Sequence, residues 1–165
     1  MKITGEELTA LDFLVTKSDV AKFVSQLDKL EQSLFNIHES IEMKAEEIFS
    51  HDELDAVKSL LKSQGVSFDS RELVRQFIHE LVASLNGASS LNLIVAIEPT
   101  EKTLREISAW ISQNNNVKVF LNLKVDPNII GGAVIEYNGS YRDYSLKKRV
   151  TKEEEEAKAS SEKKE

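Results

Sequence analysis

The sequence predicts an α+β fold: a helical bundle over residues 1–87, a small α/β domain with a mixed sheet (β-α-β plus a β-hairpin) over 91–150, and a charged, frayed tail over 151–165. Three observations carry that expectation. Apolar residues recur at steps of three and four through the first half. In the second half they alternate with polar residues on either side of one further helical stretch. The run Asn86-Gly87-Ala88-Ser89-Ser90 separates the two regimes, and both prolines (Pro99 and Pro127) and the Gly131–Gly132 pair lie beyond it.

In the first half, Leu8, Leu11 and Leu14 share one side of a short helix expected over residues 6–14. Ser18 and Asp19 are suitable caps for a long helix whose stripe is Val20, Phe23, Val24, Leu27, Leu30, Leu34 and Ile37. Ile41, Ala45 and Ile48 mark a further helix. Ser50 followed by Glu53 reads as a capping box that opens the next, with Leu54, Val57, Leu60 and Leu61 on its apolar face and Gly65 as its stop. Ser70 caps the last, whose face is Leu73, Val74, Phe77, Ile78, Leu81, Val82 and Leu85, ending at Gly87. Several amphipathic helices on short loops make a bundle. The stripes read first as core packing. A groove left open for a partner's helix is the sharper alternative.

In the second half, Leu91, Leu93, Val95 and Ile97 predict a central strand, stopped by Pro99. Thr100 caps a helix to about Gln113, with Leu104, Ile107, Trp110 and Ile111 as its buried face. Val117, Val119, Leu121, Leu123 and Val125 form the one apolar face of a second strand, alternating with Lys118, Phe120, Asn122 and Lys124 on the other side. Strand, helix, strand in that order favours parallel pairing. Asp126-Pro127 ends the second strand. Residues 133–137 and 140–144 form a hairpin about Asn138-Gly139, since an Asn-Gly turn supplies the positive φ such hairpins need. A helix from Ser145 through Arg149 follows. The tail from Glu153 on has too little apolar content to pack.

Composition narrows the function. Of 165 residues 41% are hydrophobic, enough for a core. The net charge is −7, and it is distributed as −7 over 1–97, +2 over 98–150 and −2 over 151–165, which argues against binding nucleic acid. The absence of cysteine excludes disulfides, thiolate metal sites and thiol catalysis. Lys2 is the only basic residue before Glu6 and Glu7 interrupt the opening stretch, so no signal or transit peptide is expected. His38, His51 and His79 are each more than four residues from another histidine, which is poor spacing for a metal. Gly131-Gly132 is followed by a strand, with no Lys-Ser/Thr, so it is not a phosphate loop; it fits backbone freedom or the close approach of another backbone. Lys147-Lys148-Arg149 reads as a solvated helix face before a binding patch. No catalytic, cofactor-binding or metal-ligating residue is expected, and no cofactor.

One stretch carries a more specific pattern. An alternating strand runs into Val125-Asp126-Pro127, then the aliphatic pair Ile129-Ile130, Gly131-Gly132, a strand over 133–137, the turn Asn138-Gly139, Asp143-x-Ser145 and the basic Lys147–Arg149. In order and spacing, Val117 to Val150 resembles the C-terminal signature of the delta subunit of F-type ATP synthase, the family of the mitochondrial oligomycin-sensitivity-conferring subunit. That family's first helix carries a Tyr-Ala-x-Ala-Leu motif; here its counterpart is Leu8-Thr9-Ala10-Leu11, without the Tyr. The resemblance implies a non-catalytic peripheral-stalk subunit. Its helical domain would bind the N-terminal helices of the alpha subunits, and its C-terminal domain the C-terminal region of the b subunit. It would hold the head still while rotation drives ATP synthesis, on the cytoplasmic face of a bacterial inner membrane and touching that membrane only through the complex. Val125, Asp126, Pro127, Ile130, Gly131, Gly132, Asp143 and Ser145 are the signature positions, structural in role. Partner contacts would use Leu8, Leu11, Leu73, Phe77 and Leu81 in the bundle and Lys147 and Arg149 beyond the hairpin. The other readings are an E-type stalk subunit of a vacuolar or archaeal ATPase, an unrelated helical adaptor, and an enzyme assembled from scattered carboxylates.

Overall fold

The computed structural model describes residues 3–36, 38–115, 118–148 and 150–151. Ile37, Asn116, Val117, Arg149 and the tail from Lys152, on which some of the expectations above fall, lie outside the described residues.

The helical half opens with a 3-10 turn at Glu7–Ala10 rather than the expected α-helix. The spacing gives the reason. Leu8, Leu11 and Leu14 repeat every three residues, and Leu11 N–H and Leu14 N–H donate to the carbonyls of Leu8 and Leu11 at 3.1 Å each. All three leucines are buried. Helix α1 (Lys17–Ser33) is capped by Thr16, not by Ser18. Thr16 Oγ1 accepts from Asp19 N–H at 3.1 Å and Asp19 Oδ2 accepts from Thr16 N–H at 2.8 Å, so two otherwise orphaned donors are satisfied together. Val20, Phe23, Leu27 and Leu30 form its buried stripe. Helix α2 (Ile41–Ile48) buries Ile41 and Ala45. Helix α3 (His51–Ser63) starts where Ser50 N–H donates to Glu53 Oε2 at 2.8 Å. It stops at Gly65 (φ +68°), where Gly65 N–H reaches Lys62 O at 3.1 Å and Val66 N–H reaches Leu61 O at 2.9 Å, a Schellman closure. Helix α4 (Arg71–Gly87) buries Val74, Phe77, Ile78, Leu81 and Leu85. Leu73, expected on that face, is 40% exposed in the first turn.

The sheet begins one residue after α4. Strand β1 (Ser89–Val95) takes in both serines expected to lie in the junction and ends two residues short of Ile97, which is 80% exposed. Val95 O accepts from Asp126 N–H at 2.8 Å, which closes the ladder there. Helix α5 (Glu101–Asn115) starts where Thr103 N–H donates to Thr100 Oγ1 at 3.2 Å. It buries Leu104, Ser108 and Ile111, while Trp110 falls off that stripe and is 67% exposed, contrary to expectation. Strand β2 (Val119–Val125) runs parallel to β1, with Leu91 beside Leu121 and Leu93 beside Leu123. After a 3-10 turn at Pro127–Ile129, β3 (Ala133–Tyr137) and β4 (Ser140–Asp143) form the expected hairpin, with Asn138 and Gly139 at φ +48° and +75°. Residues 146–148 and 150–151 are helical. The strand order is β2-β1-β3-β4, with β3 antiparallel to β1 and to β4.

Two clusters fill the interior. One joins the bundle helices and includes Phe120; the other joins β1, β2 and α5 and includes Val15. Strand β2 therefore has no polar face at its start. Lys118 and Phe120, expected to face water, are 6% and 1% exposed because the bundle covers that side.

Candidate functional site

The signature residues come together between β2 and the segment after β4. Asp126 starts the loop: its Oδ1 accepts from Asn128 N–H at 3.0 Å and from Asn128 Nδ2 at 2.8 Å. The backbone bond and then the side-chain bond hold the Asp126 carboxyl below its ordinary range, with smaller help from Lys124 and Lys147. Pro127, at the first position of the short turn, supplies a fixed φ and lacks only a donor that the turn would leave unused. Ile129 tucks inward at 8% exposed; Ile130 points out at 63%.

Ile130 is the irregular point of the chain. Its φ is +67° and ψ −40°, and the N–H of Gly131 donates across it to Ile129 O at 2.7 Å. That is a γ-turn of the positive-φ kind, which a β-branched residue adopts only under strain. The glycines that follow are packed against the far end of the chain. A Cβ on Gly131 would stand 2.8 Å from Leu146 Cδ1, and one on Gly132 would overlap the Tyr144 carbonyl oxygen, with Gly132 also at φ +77°. Gly132 thus needs both the backbone freedom and the close approach. Gly131 O accepts from Leu146 N–H and Ala133 O from Tyr144 N–H, each at 2.9 Å.

Asp143 and Ser145 finish the knot. Asp143 Oδ1 accepts from Ser145 N–H at 2.9 Å, and Ser145 Oγ accepts from Lys148 N–H at 3.3 Å, capping the terminal helical residues. The Ser145 side chain and then its backbone hold the Asp143 carboxyl below its usual value. Ser145 itself is 3% exposed. Around this frame Ile130, Tyr144, Leu146 and Val150 remain exposed, with Lys147 beside them and Val125 43% exposed at the strand's end. Arg149 lies outside the described residues.

The bundle positions are placed differently. Leu8, Leu11, Phe77 and Leu81 are 0–3% exposed in the bundle's own core, so as folded they present no surface to a partner. The physical reason is their spacing: they sit at the centres of stripes that the neighbouring elements already cover. Only Leu73 of that group reaches the surface. Arg71 donates to Leu34 O at 3.0 Å and to Glu39 O at 2.8 Å, which brings Leu73 to the same end of the bundle as Phe35, 74% exposed.

Sequence reasoning missed Lys118. Its Nζ donates to Leu11 O at 3.0 Å and lies 5.8 Å from the Phe120 ring centre. Burial pushes the ammonium's pKa down, partly offset by Asp12. It borders a cleft of about 880 Å³ between the first turn and α5, which also meets Glu6, Asp12, Arg105 and Ser112. The signal for it was Phe120: an aromatic at an alternate position on the supposedly wet face. His51 and His79 make surface contacts with Asp55 (3.4 Å) and Glu31 (2.8 Å). Among the described residues no group of three or more His, Asp or Glu could hold a metal ion, and no helix is long and apolar enough to cross a membrane.

These features define a bundle-plus-mixed-sheet protein whose signature residues are spent on loop architecture and on an apolar rim. Comparison with known proteins gives the particular family. The model of the ATP synthase delta (OSCP) subunit family matches residues 6–156. The chain is similar to proteins named ATP synthase subunit delta from Nitrobacter winogradskyi (26% identity over 90% of this chain and 89% of the relative) and Bradyrhizobium sp. strain ORS 278 (26%, with the same coverage). A third, from Photorhabdus laumondii, is 34% identical over 48% of this chain and 44% of its own. A chain in a cryo-EM structure of the Toxoplasma gondii mitochondrial ATP synthase hexamer aligns over 92% of this chain and 94% of its own at 12% identity, with a TM-score of 0.36, too weak a likeness to bear on the fold. The chain belongs to the ATP synthase delta (OSCP) subunit family.

Proposed function

We propose that this chain is a non-catalytic stator link of an F-type ATP synthase, holding the b subunit's C-terminal region on the rim around Ile130 and the alpha subunits' N-terminal helices on the bundle. The observation that carries the reading is Ile130. A β-branched residue held at positive φ with its side chain in water costs of order 1–3 kcal/mol, and such strain persists where a surface is built for use. The neighbouring glycines and the Asp143–Ser145 cap fix the turn that imposes it. Tyr144 and Leu146 widen the apolar rim beside it, and Lys147 gives it a basic edge. A mechanical link needs broad apolar contact rather than a shifted pKa or a cofactor. On this reading the complex sits at the cytoplasmic face of a bacterial inner membrane, with the bundle's end at Phe35 and Leu73 available to the head.

The test is affinity for a peptide spanning the C-terminal region of the same organism's b subunit, measured by calorimetry. Ile130→Gly and Ile130→Asp should each bind at least tenfold more weakly while remaining folded. Wild-type affinity in both would reject the rim as the docking face. Failure to recover alpha and b subunits with the tagged chain from its own cells would reject the stator link itself.

A further inference from the structure

We propose that the cleft between the first turn and α5 is a binding site for a small zwitterion, a molecule with a carboxylate at one end and an ammonium at the other. At about 880 Å³ the cleft has the size of a small-molecule site, and its two walls carry opposite charge. Glu6 and Asp12, which flank the first turn, stand on one wall. Arg105, Ser108 and Ser112 stand on the other, at steps of three and four along one side of α5, and Lys118 borders the cleft just before β2. The four charges sum to zero but are separated. A simple anion or a simple cation would therefore meet one wall of its own sign, whereas a dipolar ligand matches both.

The buried end of the site holds unused donors. Lys118 is 6% and Ser108 4% exposed. Among the described residues Lys118 Nζ makes one hydrogen bond, to Leu11 O, although an ammonium can donate more than once. Ser112 Oγ is buried and has no hydrogen-bond partner among the described residues. Leaving a buried polar group unpaired is costly, and a carboxylate, which accepts at both oxygens, serves an ammonium and a hydroxyl together. Lys118 can turn to such a ligand without orphaning Leu11 O, which also accepts from Leu14 N–H at 3.1 Å. Burial holds the Lys118 pKa down, and a carboxylate on the ammonium would favour its charged form again. Glu6 and Asp12 are exposed and face the ligand's ammonium. The cleft shares no residue with the rim around Ile130, so either reading can fail alone.

Amide NMR titration of the isotope-labelled full chain tests the site with matched probes. β-Alanine and glycylglycine carry both charges; propionate and propylamine carry one each. The two zwitterions should shift the amides of Asp12, Ser108 and Ser112 saturably, and the singly charged probes should bind about tenfold more weakly or worse, having lost one charge-assisted contact. Lys118→Met should weaken β-alanine by about tenfold or more. Lys124→Met, at an exposed lysine outside the cleft, should leave its affinity unchanged. Asp12→Asn should narrow the gap between β-alanine and propionate, which a loss of structure would not do. If Lys118→Met fails to fold, Ser112→Ala takes its place, with a loss of about two- to tenfold. No saturable shift with either zwitterion, propionate binding as tightly as β-alanine, or β-alanine affinity unchanged by the folded variant would each overturn the proposal.

Discussion

Gly132 lies against Tyr144 so closely that a Cβ on it would overlap the Tyr144 carbonyl oxygen. The neighbour is backbone, held by the bond from Tyr144 N–H to Ala133 O, so it cannot move aside cheaply.

Gly132→Ala should therefore lose about 2–4 kcal/mol, combining a forced clash with a φ of +77°. Gly131→Ala meets only the flexible end of Leu146, at 2.8 Å, and should lose less than about 1 kcal/mol. Urea unfolding of the two variants measures the contrast; equal losses would contradict the packing described.

Ile130→Gly should raise stability by about 1 kcal/mol, because glycine adopts φ +67° without penalty and the side chain removed is 63% exposed. The shift would appear as an increase in Tm. A variant that is both more stable and a weaker binder of the b-subunit peptide would separate strain from function at one residue.

Asp126 and Asp143 both have carboxyl pKa values lowered in the folded chain by hydrogen bonds from Asn128 and Ser145. The stability they contribute is fully present above the ordinary carboxylate range and is lost as pH falls through their folded values. Asp143→Asn should flatten the acid side of the stability–pH curve relative to wild type. A curve of unchanged slope below pH 4 or so would show that the cap bond is not formed in solution.

Lys118 has the opposite dependence. Burial lowers its pKa, so between that folded value and the ordinary lysine value the unfolded chain binds more protons. Stability contributed at this site should rise with pH across that window. Lys118→Met keeps the apolar stem and should abolish the rise. The comparison is wild type against variant in urea from about pH 7 to 10, so that every other titrating group contributes equally to both.

Much of the fold was legible because it rests on local period and local chemistry. The stripes of α1, α3 and α4, the Ser50 and Ser70 starts, the Gly65 stop and the Asn138-Gly139 turn each depend on residues within one turn of one another. The errors fall where a distant segment decides. Trp110 and Leu73 are expected inward, but among the described residues no neighbour covers them. Lys118 and Phe120 were assigned outward, but the bundle covers them.

The sequence by itself determined the order of elements, the parallel β-α-β unit with its hairpin, and a motif specific enough to name a family. Only the tertiary structure decided that Leu8, Leu11, Phe77 and Leu81 are core, that Ile130 is forced outward, and that Lys118 is buried with its ammonium on the Leu11 carbonyl. The physical reason is that periodicity specifies which side chains share a face, whereas burial depends on what the rest of the chain brings against that face.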